Sequence, residues 1–536
     1  MTSPTDNVDS LKGAVVHAEE VDLADEKNLN VVGDAVHAEA VEASMGVMEG
    51  LKTYPRAVFW SFSISLLIIM EGYDVAVLGS VIGLPQYREK FGVPVINSQG
   101  LPDYELLPAW QMAVNQAPNV GCIIGIFIAS WAQDRWGYRR TLQIALVFLT
   151  GAIFIIFFSV NVQMLFIGEL LCGLPWGAFS SSAVSYASDV TPIPLRGYLT
   201  TYVNLCWIIG QILAAGILYR VLSLPGTLAY QVAFAVQWVW PIPLFILVTL
   251  APESPWFLVR KGRLEEARHA VSRLQSKTST IDPADTVAMM VRTDQFELDN
   301  EVGSSYLSCF RGADRRRTEI SAMAWVAQVL CGMAFAGAPV YFFKQAGLSE
   351  ENSFQLNLGI TFMALGGTLA SWVALTFGGR RPFFIGGLAT MCGLLVIIGG
   401  LSWSPNPNVK WAQAALIMIF VWTYDFTIGP LTYCIVGETS ATRLRSKTVG
   451  LSRNAYNVTS IVGGILNTYM MNPLAWNWKS RSALFWAGTC LIMTIWSFFR
   501  LPEMKGRSYH QLDLLFERRT PTRKFKETVI TSEDEE

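Results

Sequence analysis

The chain has 536 residues, 52% of them hydrophobic and only 15% charged, with 18 Trp, 30 Phe and a positive mean hydropathy. That balance excludes an ordinary soluble domain and points to a membrane protein, while a formal net charge of -2 leaves no basic excess for nucleic acid. The eight Cys lie in apolar runs or, for Cys309, in a polar loop, without close metal-ligand spacing, and read as buried free thiols with no metal site.

Residues 1–55 carry many acids, among them Asp22, Asp25, Glu26, Glu39 and Glu42, with few aromatics and no long apolar run, and are expected to form a disordered tail. No short apolar stretch with a small-residue cleavage site precedes Ala57, so a cleaved signal peptide is not expected. Twelve apolar runs follow, near 57–79, 110–132, 141–160, 162–187, 199–221, 231–250, 320–343, 354–377, 383–402, 411–436, 447–471 and 483–500. Most are long enough to cross about 30 Å at about 1.5 Å per residue.

The expected fold is all-α and integral to the membrane, with twelve transmembrane helices in two six-helix halves over 56–250 and 320–500. A polar linker over 251–319, with an amphipathic pattern at 264–271, joins them, and a charged tail over 501–536 is expected to be mobile beyond Phe525. Arg135, Arg139 and Arg140, Arg196, Arg260 and Lys261, Arg380 and Arg381, and Arg443, Arg445 and Lys447 all fall in connections on one side. The positive-inside rule makes that side, and both termini, cytoplasmic.

The first run holds an oddity. Glu71 and Asp74, three residues apart, share one helix face inside a lipid-soluble stretch. An ionised carboxylate in a bilayer core costs about 2.5–3.5 kcal/mol on insertion scales, so both should face the protein interior or a wet cavity. A glycosidase also uses paired carboxylates, but two acids on one membrane helix do not flank a glycosidic bond from opposite sides, and an enzyme is not expected.

Three signatures recur in the second half. Asp189 to Arg196 is echoed by Glu438 to Arg445 at an offset of 249 residues, and Pro252-Glu253 by Pro502-Glu503 at 250. Gly137-Tyr138-Arg139-Arg140 is echoed by Gly378-Gly379-Arg380-Arg381 at 241. Three echoes in the same order indicate duplicated six-helix halves, the build of a rocking transporter with its site between them.

With these residues in hand the chain resembles the sugar-porter family of the major facilitator superfamily over about residues 55–525. The marks are Asp134-Arg135-Trp136-Gly137-Tyr138-Arg139-Arg140, Pro252-Glu253-Ser254-Pro255-Trp256-Phe257-Leu258, Gly379-Arg380-Arg381 and Pro502-Glu503-Met504-Lys505-Gly506-Arg507. Glu71-Gly72-Tyr73-Asp74, the segment from Gly168 to Gly177, Leu444-Arg445-Ser446-Lys447-Thr448, Leu451-Ser452-Arg453-Asn454-Ala455-Tyr456-Asn457 and the segment from Asn472 to Trp478 narrow the likeness to fungal α-glucoside (maltose-type) proton symporters.

The resemblance implies site residues. Arg135, Arg139 and Arg140 would reach Asp189 and Glu253, and Arg380 and Arg381 would reach Glu438 and Glu503, as a cytoplasmic gate; the alternative is topological charge alone. Where hexose-type relatives carry an Arg on the fourth helix, this chain has Glu169, so Glu71, Asp74 and Glu169 are expected to form a proton-coupling cluster, or else to be acids held by hydrogen bonds to neighbouring helices. Asn204, Gln211, Gln328 and Tyr433 fall at sugar-binding positions, whereas Val329, Ala334 and Ala338-Pro339 stand where polar residues are usual.

Arg453, Asn454 and Asn457 on the eleventh helix can supply further substrate contacts, with Arg453 binding substrate, neutralising an acid or snorkelling. Asp425 on the tenth either handles protons or fixes a bend. The resemblance thus implies a proton-coupled importer of an α-glucoside such as maltose in the plasma membrane, with no cofactor beyond the proton gradient and no obligate protein partner. A carrier of a hexose or secondary metabolite, or a non-transporting sugar receptor, is the alternative.

Overall fold

The computed structural model of the chain describes residues 45–528 apart from 97–101, 278–281, 300–304, 338, 346–348, 405, 407–408, 442, 472–475, 477 and 508. Ala338, Asn472, Pro473, Leu474, Ala475, Asn477 and the tail segments 1–44 and 529–536 lie outside the described residues.

Among the described residues nine helices are long and apolar enough to cross a membrane. One of them, Ala109–Phe157, is two helices meeting at Gly137, where the backbone leaves helical geometry. Two further helical stretches occupy the seventh and eleventh expected places. The seventh is broken into Asp314–Leu330, Met333–Ala336 and Pro339–Gln345, and the eleventh, Arg445–Met471, carries too many polar residues to stand out by hydropathy. The fold is an all-α membrane architecture consistent with the twelve expected runs. Its one sheet among the described residues is an antiparallel pair, Val93–Ile96 with Pro102–Glu105, between the first and second runs, which composition did not signal.

Close helix crossings rest on residues without side chains. Pro55–Val81 and the fifth helix, Ile193–Val221, meet where Gly72 faces the backbone of Trp207 and Gly210 faces Ile69 and Tyr73. The second and fourth helices interlock through Gly121 and Gly125 against Gly173 and Gly177, a small-xxx-small seam on each side. Between the halves, the second helix packs on the eleventh and the fifth on the eighth, Glu350–Phe377. If the halves are duplicates these two interfaces are the same interface, which is the pairing the repeat requires.

The polar segments are more ordered than composition suggested. Residues 45–55, counted with the disordered tail, fold instead as a helix, Val47–Thr53, with Met45 and Tyr54 buried in the first half's core. The Thr53 carbonyl accepts from the Ser276 amide at 2.7 Å, tying this helix to the linker. The linker's amphipathic pattern becomes Leu264–Leu274, which buries Ala267, Ala270, Val271 and Leu274. In the C-terminal tail, Asp513 of helix Tyr509–Glu517 pairs with Arg317 at 2.5 Å and Phe525 is buried against Phe516.

Candidate functional site

At the arginine-loop end each half repeats one device. Gly137 adopts φ 84°, and a Cβ there would also press on the Glu253 carboxylate. That turn aims the amides of Tyr138 and Arg139 at Glu253, at 2.9 and 3.2 Å. In the second half the amides of Arg380 and Arg381 donate to Glu503 at 3.0 and 3.1 Å, beside Gly379. The matching register is therefore Tyr138 with Arg380 and Arg139 with Arg381, one residue away from the register read in the sequence. Burial pushes the Glu253 carboxyl above its ordinary range, and the amides of Tyr138, Ser254 and Arg139 pull the other way.

The expected Arg–carboxylate pairs form only in part. Arg380 meets Glu438 at 2.9 Å. Arg139 and Arg381 instead donate from their guanidinium groups to the carbonyls of Thr249 and Phe498, at 2.5 and 2.8 Å. Arg135 sits over the Trp131 ring, and Arg140 is exposed. Asp189 is not reached by any of these three: Ser254 donates to it at 2.6 Å, and its ion-pair partner is Arg445 of the other half. The reason is the register. Tyr138 stands in the first half where Arg380 stands in the second, so Asp189 lacks a cation of its own half.

These contacts join the halves at this end. Arg445 pairs with Asp189, Lys447 pairs with Asp134, and the Tyr509 ring is stacked between Arg196 and Arg445, 3.6 and 4.2 Å from its centre. The other end is open between the halves as a cavity of about 360 Å³. Asn204, Gln211, Gln328, Tyr433 and Arg453 all line it, together with Asp425, Val329 and Ala334.

Within it Asn204 and Gln328 are already engaged. Asn204 donates to Thr368 Oγ1 at 3.1 Å and to Asp425 Oδ1 at 3.2 Å, linking the fifth helix to the eighth and tenth across the halves. Gln328 donates to the Gly429 carbonyl at 3.0 Å, beside the break at Thr427 that splits the tenth helix into Val409–Phe426 and Ile428–Thr439. Asp425 sits beside the bend and also lines the cavity.

Asn454 and Asn457 do not line the cavity. Asn454 donates to the Ile123 carbonyl at 3.4 Å and Asn457 is turned to Cys122, both on the second helix. Helical spacing explains this. Arg453, Tyr456, Ser460, Gly464 and Asn467 recur at three- and four-residue steps and form the cavity stripe, whereas 454 and 457 lie on the neighbouring face. That stripe was available in the sequence, as were Asn115, Gln116 and Asn119 on the second helix, which sequence reasoning missed.

The three acids lie behind the cavity wall rather than on it, and they do not form a cation-free cluster. Glu71 pairs with Arg453 at 2.9 Å, so the counter-charge absent from the fourth helix comes from the eleventh. Arg453 is packed against the rings of Tyr456, Trp325 and Trp207, 4.4, 4.7 and 5.5 Å from their centres, which holds its planar group in place. Asp74 accepts from neutral donors, Trp176 Nε1 at 3.0 Å and Gln237 Nε2 at 2.5 Å. Glu169 is fully buried and neither oxygen has a partner. Were it ionised it would be an uncompensated buried charge, a cost that protonation removes.

This arrangement places one fixed cation between a polar cavity and a set of buried acids.

Residues 60–516 match the profile of the family described as sugar (and other) transporter. Maltose permease MAL61 of Saccharomyces cerevisiae is 39% identical over 518 residues, which span 95% of this chain and 83% of that protein. The general alpha-glucoside permease of the same organism is 36% identical over 520 residues, 95% of this chain and 84% of that one. Among solved structures, the MFS (major facilitator superfamily) proton:xylose symporter XylE bound to 6-bromo-6-deoxy-D-glucose matches with a TM-score of 0.73 at 18% identity, over 86% of this chain and 99% of that chain. The fold is that of the major facilitator superfamily.

Proposed function

The chain belongs to the sugar (and other) transporter family, and from that premise we propose that it is a proton-coupled importer of an α-glucoside such as maltose. It works in the plasma membrane by alternating access, with the arginine-loop end and both termini on the cytoplasmic side. The family is one of carriers, so the glycosidase alternative falls away. The substrate class follows the names of the relatives, maltose and general alpha-glucoside permeases. The coupling reading rests on one observation: Arg453 lines the cavity while paired to Glu71 behind its wall.

In this reading the outward-open state is the one described, closed at the cytoplasmic end by Arg445 with Asp189 and Lys447 with Asp134. External protons neutralise Glu169, Asp74 and Glu71. Neutral Glu71 releases Arg453 toward sugar hydroxyls, and sugar drawn between Asn204, Gln328 and Tyr433 pulls the halves together. In the loaded, occluded state the protonated acids carry no charge, and the one charge left, on Arg453, is held by sugar hydroxyls and by the rings of Tyr456, Trp325 and Trp207. The driving force is the proton gradient, with no other cofactor.

The test is a substrate panel in cells lacking their own sugar carriers, with the medium pH recorded. Maltose addition should produce uptake and alkalinise an unbuffered medium, and glucose or xylose should compete weakly. Uptake of a hexose alone, or maltose uptake with no pH change, would contradict the proposal.

A further inference from the structure

The cavity is longer than one sugar ring requires. Arg453 and Asn467 both line it and lie fourteen residues apart on one helix, about 21 Å at 1.5 Å per residue. That is several times the width of a pyranose. The contacts described above all lie at the Arg453 end. The opposite end is built differently: it carries carboxamides from both halves.

Asn467, from the eleventh helix, is 8% exposed and its Oδ1 has no partner. Across from it on the second helix, the buried Asn115 Oδ1 also has none. Asn119 Nδ2 donates to Gln116 Oε1 at 2.9 Å, which orients that amide and directs Gln116 Nε2 toward Gly464 of the other half. The Gln116 amide fits there because residue 464 has no side chain: a Cβ would come within 2.5 Å of that nitrogen. Asn115, Gln116 and Asn467 thus line the same cavity from both halves, with the Gln116 amide oriented by its neighbour. Carboxamides of this kind, each offering a donor and an acceptor, suit the vicinal hydroxyls of a sugar.

We propose that Asn115, Gln116 and Asn467 form a second sugar-ring subsite, which holds the ring of a disaccharide that lies beyond the one bound near Arg453. This rests on the reading of the protein as an α-glucoside carrier and names what selects two rings over one. Because the residues come from both halves, the second ring also bridges them at the mouth.

The test compares maltose with methyl α-D-glucoside, which keeps one ring and the α-linkage. Uptake of both radiolabelled sugars is measured for the wild type, Gln116→Ala and Asn467→Ala in cells lacking other carriers, with surface protein quantified by a tag. The ratio of the maltose KM to the methyl α-D-glucoside KM should rise about tenfold in each variant, the size of one lost hydrogen bond. An unchanged or falling ratio overturns the subsite. Should an alanine variant fail to reach the surface, Gln116→Glu and Asn467→Ser are read by the same ratio. A wild type that carries neither glucoside contradicts the underlying reading instead, and the subsite with it.

Discussion

Arg453 is the residue on which the account turns. Its pairing with Glu71 spans 382 positions of sequence, and its depth was not readable from the eleventh run because polar neighbours surround it there. The acids themselves were legible, since carboxylates in an apolar run stand out; that Arg453 neutralises one was among three open readings, and which acid it meets was not legible. Arg453→Lys keeps the charge but loses the flat group stacked on Trp325 and Tyr456. Maltose uptake at normal surface abundance should fall at least about tenfold, the scale of one buried charge-assisted bond; uptake equal to wild type would show that the planar group is not needed. Gly137 offers a second case. Gly137→Ala must hold a positive φ with extended ψ, a conformation essentially confined to glycine, at a cost of about 1–3 kcal/mol, and also displace Glu253. The purified variant should melt at a lower temperature than wild type, whereas Gly151→Ala, which has open space around it, should not.

At the scale of elements, the runs were visible wherever hydropathy alone decides, and less so where function intervenes. The seventh helix breaks at Gly332, whose φ is 109°, and the tenth at Thr427; both breaks adjoin the cavity, where an unwound backbone can be satisfied by polar neighbours. The eleventh helix reads as polar because one stripe of it faces the cavity and the neighbouring face meets the second helix. The repeat was legible to within one residue. That single shift matters, because it sets Tyr138 opposite Arg380 and leaves Asp189 to a cation from the other half. Helix crossings follow the glycines: Gly210→Leu would force the first and fifth helices apart at Ile69 and Tyr73. Little of that variant should reach the cell surface, whereas Gly216→Leu, with no atom near, should be delivered normally.

For the whole molecule, closure at the arginine-loop end includes ion pairs between the halves, of which Arg445 with Asp189 is the most buried among the described residues. Breaking such a pair by removing one partner costs about 3–5 kcal/mol, and the cost falls on the state in which it forms. Arg445→Ala should therefore shift the protein toward opening at that end. A cysteine placed at Ser446, which is buried at this interface, should be labelled faster by an impermeant thiol reagent from the cytoplasmic side when Arg445 is replaced than when it is present. None of this was legible in sequence, because two half-molecules are joined by side chains whose partners lie hundreds of residues away.

The most direct measurement is the accumulation of radiolabelled maltose against its gradient, with and without a protonophore, in cells whose only sugar carrier is this protein. The wild type should concentrate maltose and lose that ability when the proton gradient collapses. The combined variant Glu71→Gln, Asp74→Asn, Glu169→Gln should equilibrate maltose without concentrating it, and be insensitive to the protonophore. Concentrative, protonophore-sensitive uptake by that variant would contradict the account.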